Sequence, residues 1–149
     1  MTFEAICVKK RNLITMLSIR NNMARAGKVT PPQFVATAFG ILFPEAVNAE
    51  WYVNAQGFEA VFHHNHSEMI AMLGANGELL ETRLNMPAAK APAMVMVALA
   101  PESESELMNV IKVEKNTETT YEIIYRNRHL DRFVMLISEQ GNILSDNAL

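Results

Sequence analysis

The stretch from Phe58 to Glu81 constrains the fold more than any other. It reads Phe-Glu-Ala-Val-Phe, then His-His-Asn-His-Ser-Glu, then Met-Ile-Ala-Met-Leu-Gly-Ala-Asn-Gly-Glu-Leu-Leu-Glu. Phe58, Ala60 and Phe62 alternate with Glu59, Val61 and His63, the period of a half-buried strand. The polar run His63 to Glu68 reads as a connection to a second strand. Asn76-Gly77 then predicts a type I′ hairpin turn, with positive φ at both central residues. A degenerate version returns between Tyr121 and Ser145: Phe58 corresponds to Tyr121, Glu59 to Glu122, Phe62 to Tyr125 and Gly77 to Gly141.

The rest of the chain is read around that pattern. Thr30-Pro31-Pro32 resembles a helix start, with Thr30 placed to cap and proline suited to the first turn. Phe34, Ala38 and Ile41 recur at helical spacing, with Val35, Phe39 and Leu42 beside them, and Pro44 stops the helix. Strands are expected over 46–53, 58–62, 69–74 and 78–85. The apolar run 90–100 fits a buried helix or a strand, and analogy with the first half favours the helix. Glu102 to Glu106 reads as a solvated acidic linker. Strands follow over 107–115 and 121–125. The expected fold is therefore α+β: two tandem helix-plus-four-strand repeats, 29–87 and 88–149, forming one antiparallel sheet with helices packed on one face.

Residues 1–28 form a separate N-terminal segment. Lys9, Lys10 and Arg11 precede an apolar stretch, Leu13 to Ile19, and Ala24-Arg25-Ala26 resembles a cleavage site. Thr15, Ser18, Arg20 and Arg25 interrupt that signal-like pattern. A degenerate export signal, an amphipathic helix packed on the domain and a frayed tail are the three readings. No stretch has the length of a membrane-spanning helix.

Composition narrows the function classes. The 149 residues carry a net charge of −3, so no excess of cations is present to neutralise a phosphate backbone, and nucleic acid is not an expected partner. Cys7 is the only cysteine, which excludes an intramolecular disulfide and a thiolate zinc cluster. The ten methionines read as core filler.

Phe-Pro-Glu-Ala-Val-Asn-Ala-Glu-Trp (43–51), Gly-Phe-Glu-Ala-Val-Phe (57–62) and Asn-Gly-Glu-Leu-Leu-Glu-Thr (76–82) resemble the PepSY-like family of bacterial proteins, over about residues 30–147. The resemblance implies a fold similar to that of a β-lactamase inhibitor protein, with helices on one sheet face and the other face open. It also implies export to the periplasm, and a regulatory or inhibitor-like role. The poor signal pattern keeps a cytoplasmic location as the alternative.

The candidate chemistry is sparse. In a strand, His64 and His66 would share a face and, with Glu68, could approach a zinc site; a solvated turn is the plainer reading of His63 to His66. Glu59 and Glu122 could be paired acid–base carboxylates, or solvent-facing partners of a neighbouring strand's Lys or Arg. No nucleophile elbow or phosphate-cradling glycine loop occurs. Phe58, Phe62 and Tyr125 read as core, and Trp51 as the partner-binding candidate. The expectation is a non-enzymatic domain without a cofactor, binding a protein or peptide through an open sheet face that shows aromatic and polar side chains. The alternative is a small-molecule or metal-binding protein using the His63–His66 connection.

Overall fold

The computed structural model describes residues 27–149 apart from Ser103. The readings made for the N-terminal segment up to residue 26 lie outside the described residues. From Lys28 the chain joins the sheet at once: Lys28 bridges to Tyr52, and the Val29 amide donates to the Trp51 carbonyl. Helix α1 (Gln33–Leu42) follows, then strands β1 (Val47–Asn54), β2 (Gly57–His64), β3 (Ser67–Gly74) and β4 (Leu79–Met86). A 3₁₀ turn (Ala88–Lys90) leads into α2 (Ala93–Leu99). Strands β5 (Glu106–Lys115), β6 (Glu118–Arg126), β7 (Arg132–Ser138) and β8 (Ile143–Ala148) complete the chain.

The eight strands of the described residues form one antiparallel sheet in sequence order. This corrects the division into two tandem helix-plus-four-strand repeats, although the α+β class stands. Strands β4 and β5 pair from Glu81–Lys115 to Met86–Val110, across the expected boundary at residue 87. An unpaired β4 would present a row of free backbone groups, and pairing with β5 removes that edge. The two helices also differ, with ten residues in α1 and seven in α2.

Alternation along the strands sorts side chains onto two faces. On one face lie both helices. Val35 and Phe39 of α1 pack on Ala60, Phe62, Ala71 and Leu73. Val95, Ala98 and Leu99 of α2 pack on Val110, Tyr121, Ile123, Tyr125, Met135 and Ile137. Phe39 meets Phe62 edge-on at 4.9 Å between ring centroids. The core row of α1 is thus Val35 and Phe39, and Phe34 and Ile41 of the expected stripe are exposed. Thr30 makes no cap; Pro32 occupies that position, and its carbonyl accepts from the Ala36 amide.

The turns depart from the sequence reading in an instructive way. The six-residue connection His63–Glu68 shrinks to two residues. β2 runs to His64 and β3 begins at Ser67, with Asn65 (φ 48°) and His66 (φ 63°) both in the left-handed region. That is the type I′ geometry, which matches the twist of the strands. Asn116 (φ 51°) and Thr117 (φ 65°) repeat it between β5 and β6. At Asn76-Gly77, where type I′ was expected, only Gly77 has positive φ (84°). The Gly77 amide donates to Gly74 and the Gly74 amide to Glu78, and the register shifts between Met72 and Leu73. A three-residue turn closed by a glycine bulge explains all three observations.

Candidate binding face

The face turned away from both helices is the candidate site. The strand registers place Glu50 and Tyr52 of β1 on it. Glu59, Val61 and His63 follow from β2, and Ile70 and Met72 from β3. Next come Glu81, Arg83 and Asn85 of β4, and Ile111, Val113 and Lys115 of β5. Glu122 and Ile124 of β6 and Val134 of β7 complete its centre.

Two chemistries meet there. Ile70, Ile111, Val113, Ile124 and Val134 form an apolar cluster, with Val61 and Met108 against it. Every member among the described residues is a strand residue, and neither described helix contributes. Beside it stands a charge cluster centred on Arg83, which is 2% exposed. Arg83 Nε donates to Glu81 Oε1 at 2.8 Å. Its Nη1 and Nη2 donate to the two oxygens of Glu122 at 3.0 and 2.9 Å. The planar guanidinium is suited to such a two-point grip. To reach Glu122 on β6, the side chain passes over β5, a span of about 10 Å for two strand spacings. Lys115 Nζ lies 3.8 Å from Glu81 Oε2 at the rim.

This arrangement corrects two expectations. Glu59 and Glu122 are not solvent-facing: Glu59 is buried and Glu122 is half-buried against Arg83. The centre of the face is also not a display of aromatic and polar groups. It is apolar and buried, with Ile111 and Ile124 at 0% exposure. Period-two alternation indicated which residues share a face; it could not indicate that a β4 arginine would cross β5. Three buried polar atoms on this face, His63 Nδ1, Asn85 Oδ1 and Asn109 Nδ2, find no hydrogen-bond partner among the described residues.

The sequence candidates fall elsewhere. Trp51 pairs with Ala60, which puts it on the helix side; its ring meets Phe39 edge-on at 5.0 Å, and it is half-buried. Phe62 and Tyr125 are core, as expected, and Phe58 packs partly buried against the α1 cluster. His64 ends β2 and His66 sits in the turn, so the two do not stand on one strand face. His63 and His66 instead line a shallow cleft of about 630 Å³ with Glu45, Val47, Asn48 and Asn65. Among the described residues no three His, Cys, Asp or Glu side chains gather where they could hold a metal ion. No described helix is long and apolar enough to cross a membrane.

On the helix side, two polar contacts perturb their members. The Tyr125 hydroxyl donates to both oxygens of Asp146, at 2.9 and 2.8 Å. Burial, then that contact, pushes the Tyr125 hydroxyl well above the usual phenol range. The Lys112 ammonium lies 2.6 Å from Glu114; their hydrogen bond raises the lysine and lowers the carboxylate.

Among the described residues, the eight-stranded meander with two helices on one face is an architecture shared with solved structures. A BLIP-like protein from Bacteroides fragilis superposes with a TM-score of 0.70 at 20% identity, covering 83% of this chain and 89% of its own. A DUF2874 family protein from Bacteroides ovatus gives 0.72 at 19%, over 80% and 89%. Another from Bacteroides uniformis gives 0.73 at 17%, over 80% and 90%. The chain therefore has a BLIP-like fold. No protein-family model matches it, and no curated protein does.

Proposed function

We propose that this is a non-enzymatic binding protein whose acid-rimmed apolar sheet face receives a basic, amphipathic segment of a protein or peptide. The observation that carries this reading is the Ile70–Val134 apolar cluster set beside the Glu81–Arg83–Glu122 charge cluster. Val61 and Met108, the partly buried members of that cluster, supply apolar contact, and fixed charges at its border select the sign of the partner. The BLIP-like fold agrees with a protein-binding role, and the PepSY-like resemblance of residues 43–51, 57–62 and 76–82 belongs with the same reading.

The test selects a phage-displayed peptide library on the immobilised full-length chain and titrates the winners by calorimetry. Enriched sequences should alternate Lys or Arg with apolar residues. Val61→Glu and Glu68→Lys, both on this face, should weaken them at least about tenfold, or about 1.4 kcal/mol. Val97→Glu, on the exposed back of α2, should leave them unchanged. Peptides lost with Val97→Glu and kept by the two face variants would place the binding surface on the helices instead.

A further inference from the structure

Neither helix has a charged side. Residues 29–44 and 91–101, which hold α1 and α2, contain no Asp, Glu, Lys, Arg or His. Gln33 and Thr37 are the only polar side chains in the two helices, and they satisfy each other: Gln33 Nε2 donates to Thr37 Oγ1, which donates to the Gln33 carbonyl. Val35 and Phe39 of α1, and Val95, Ala98 and Leu99 of α2, face the sheet. The sides turned away from it carry Phe34 and Ile41 on α1, and Met96 and Val97 on α2, which are 54–76% exposed. A surface helix normally turns a charged stripe to water, and one that is apolar all round belongs between two layers. We propose that the outer layer is a second copy of this chain, and that the helix layers of two copies pack face to face in a symmetric dimer.

Space, charge and area agree on that occupant. Gly40 is exposed on the outward side of α1, where a Cβ would meet nothing within 4 Å among the described residues. Glycine weakens a helix interior relative to alanine, and its use is the close approach of another backbone; that approach comes from outside the described fold. The chain carries a net charge of −3, so two copies repel over much of their surface, but not where both present uncharged helices. In sequence the two apolar runs are bordered by Lys28 and Glu45, and by Lys90 and Glu102. That balance lets a two-fold axis set opposite signs against each other. It also gives no cationic excess for a lipid surface, whose bound helices carry Lys and Arg on their polar side. α1 lies over β2 and β3 and α2 over β5 to β7, three to four strand spacings or about 17 Å apart. An axis midway between them places α1 of each copy on α2 of the other. The four exposed side chains offer on the order of 500 Å² per copy, and two copies together reach the roughly 1,000 Å² of a specific interface.

The inference is independent of the proposed function, because the opposite sheet face stays outward in both copies. Sedimentation equilibrium of the full-length chain, from low to high micromolar concentration, tests it. Wild type should pass from monomer to dimer. Ile41→Glu and Val97→Glu, both at exposed positions and therefore compatible with the fold, should each raise the dissociation constant at least about tenfold. Gly40→Ala separates packing from folding. It should raise the urea midpoint measured at concentrations where the chain is monomeric, since alanine favours the helix, and yet weaken the dimer severalfold. A chain that stays monomeric throughout, a dimer that both glutamate variants leave intact, or one equally tight in Gly40→Ala would overturn the inference. A further arm mixes the chain with neutral phosphatidylcholine vesicles. Co-sedimentation that Ile41→Glu abolishes, with the free chain monomeric, would assign the helices to a lipid surface and refute the dimer.

Discussion

Arg83 is the residue whose loss the second face should tolerate least. Its side chain is almost wholly buried and makes three charge-assisted hydrogen bonds to Glu81 and Glu122. Arg83→Met keeps most of the volume and removes the cation between two carboxylates, one of which, Glu81, is 5% exposed. Breaking a buried pair from one side costs about 3–5 kcal/mol, mostly because the opposite charge stays desolvated. A domain of this size is stable by about 5–15 kcal/mol, so the variant should fold with a thermal midpoint roughly 6–20 °C lower. Arg83→Lys should recover only part of the loss, since an ammonium cannot grip Glu122 at two points. Neutralising the partners as well, in Arg83→Met/Glu81→Gln/Glu122→Gln, should regain about 1–3 kcal/mol relative to Arg83→Met. Urea unfolding of the four proteins at neutral pH measures each step. A loss below about 1 kcal/mol for Arg83→Met, the range of a surface ion pair, would refute the buried-cluster reasoning. So would a triple variant weaker than the single one.

Three further outcomes follow from the geometry. Gly57 has φ of 150°, and a Cβ there would lie 2.3 Å from the Leu73 carbonyl oxygen. Gly57→Ala should therefore cost at least about 1–3 kcal/mol in urea unfolding, and an unchanged midpoint would contradict the β2–β3 register. His66→Gly should stabilise the chain by roughly 0.5–1 kcal/mol by relieving a left-handed residue in a type I′ turn; a lower midpoint would show that the imidazole has a structural task. Tyr125→Phe should cost about 1–3 kcal/mol at neutral pH through the lost Asp146 contact. Because the folded hydroxyl titrates above its ordinary value of 10.0, that contribution is complete below pH 10 and fades as pH rises through the folded pKa. The gap between wild type and Tyr125→Phe should narrow above pH 10, and a gap constant to higher pH would contradict the raised pKa.

The comparison of sequence with structure turns on how local each signal is. Alternation at Phe58, Ala60 and Phe62 is written in adjacent residues, and it located β2 and the side that packs under α1. Pro44 and Pro92 mark helix limits through their own backbone chemistry, and α2 formed where the 90–100 run left helix and strand open. Turn geometry was harder to read. Asn65 and His66 adopt the φ values expected of Asn-Gly, while Asn76-Gly77 closes a bulged turn, because strand twist and register choose the turn that fits.

Composition and period by themselves determined an α+β chain with antiparallel strands, and placed Phe62 and Tyr125 in the core. The long-range arrangement came only with the tertiary structure. The single antiparallel sheet was expected, but the pairing of β4 with β5 runs it unbroken across the boundary the sequence suggested between two repeats. Arg83, 39 positions from Glu122 in the chain, became its partner because the register sets both on one face with β5 between them. Trp51 became a packing residue on the helix side for the same reason. A side chain's neighbours along a strand are set by covalent order, but its neighbours across a sheet are set by register, which no short stretch of sequence contains.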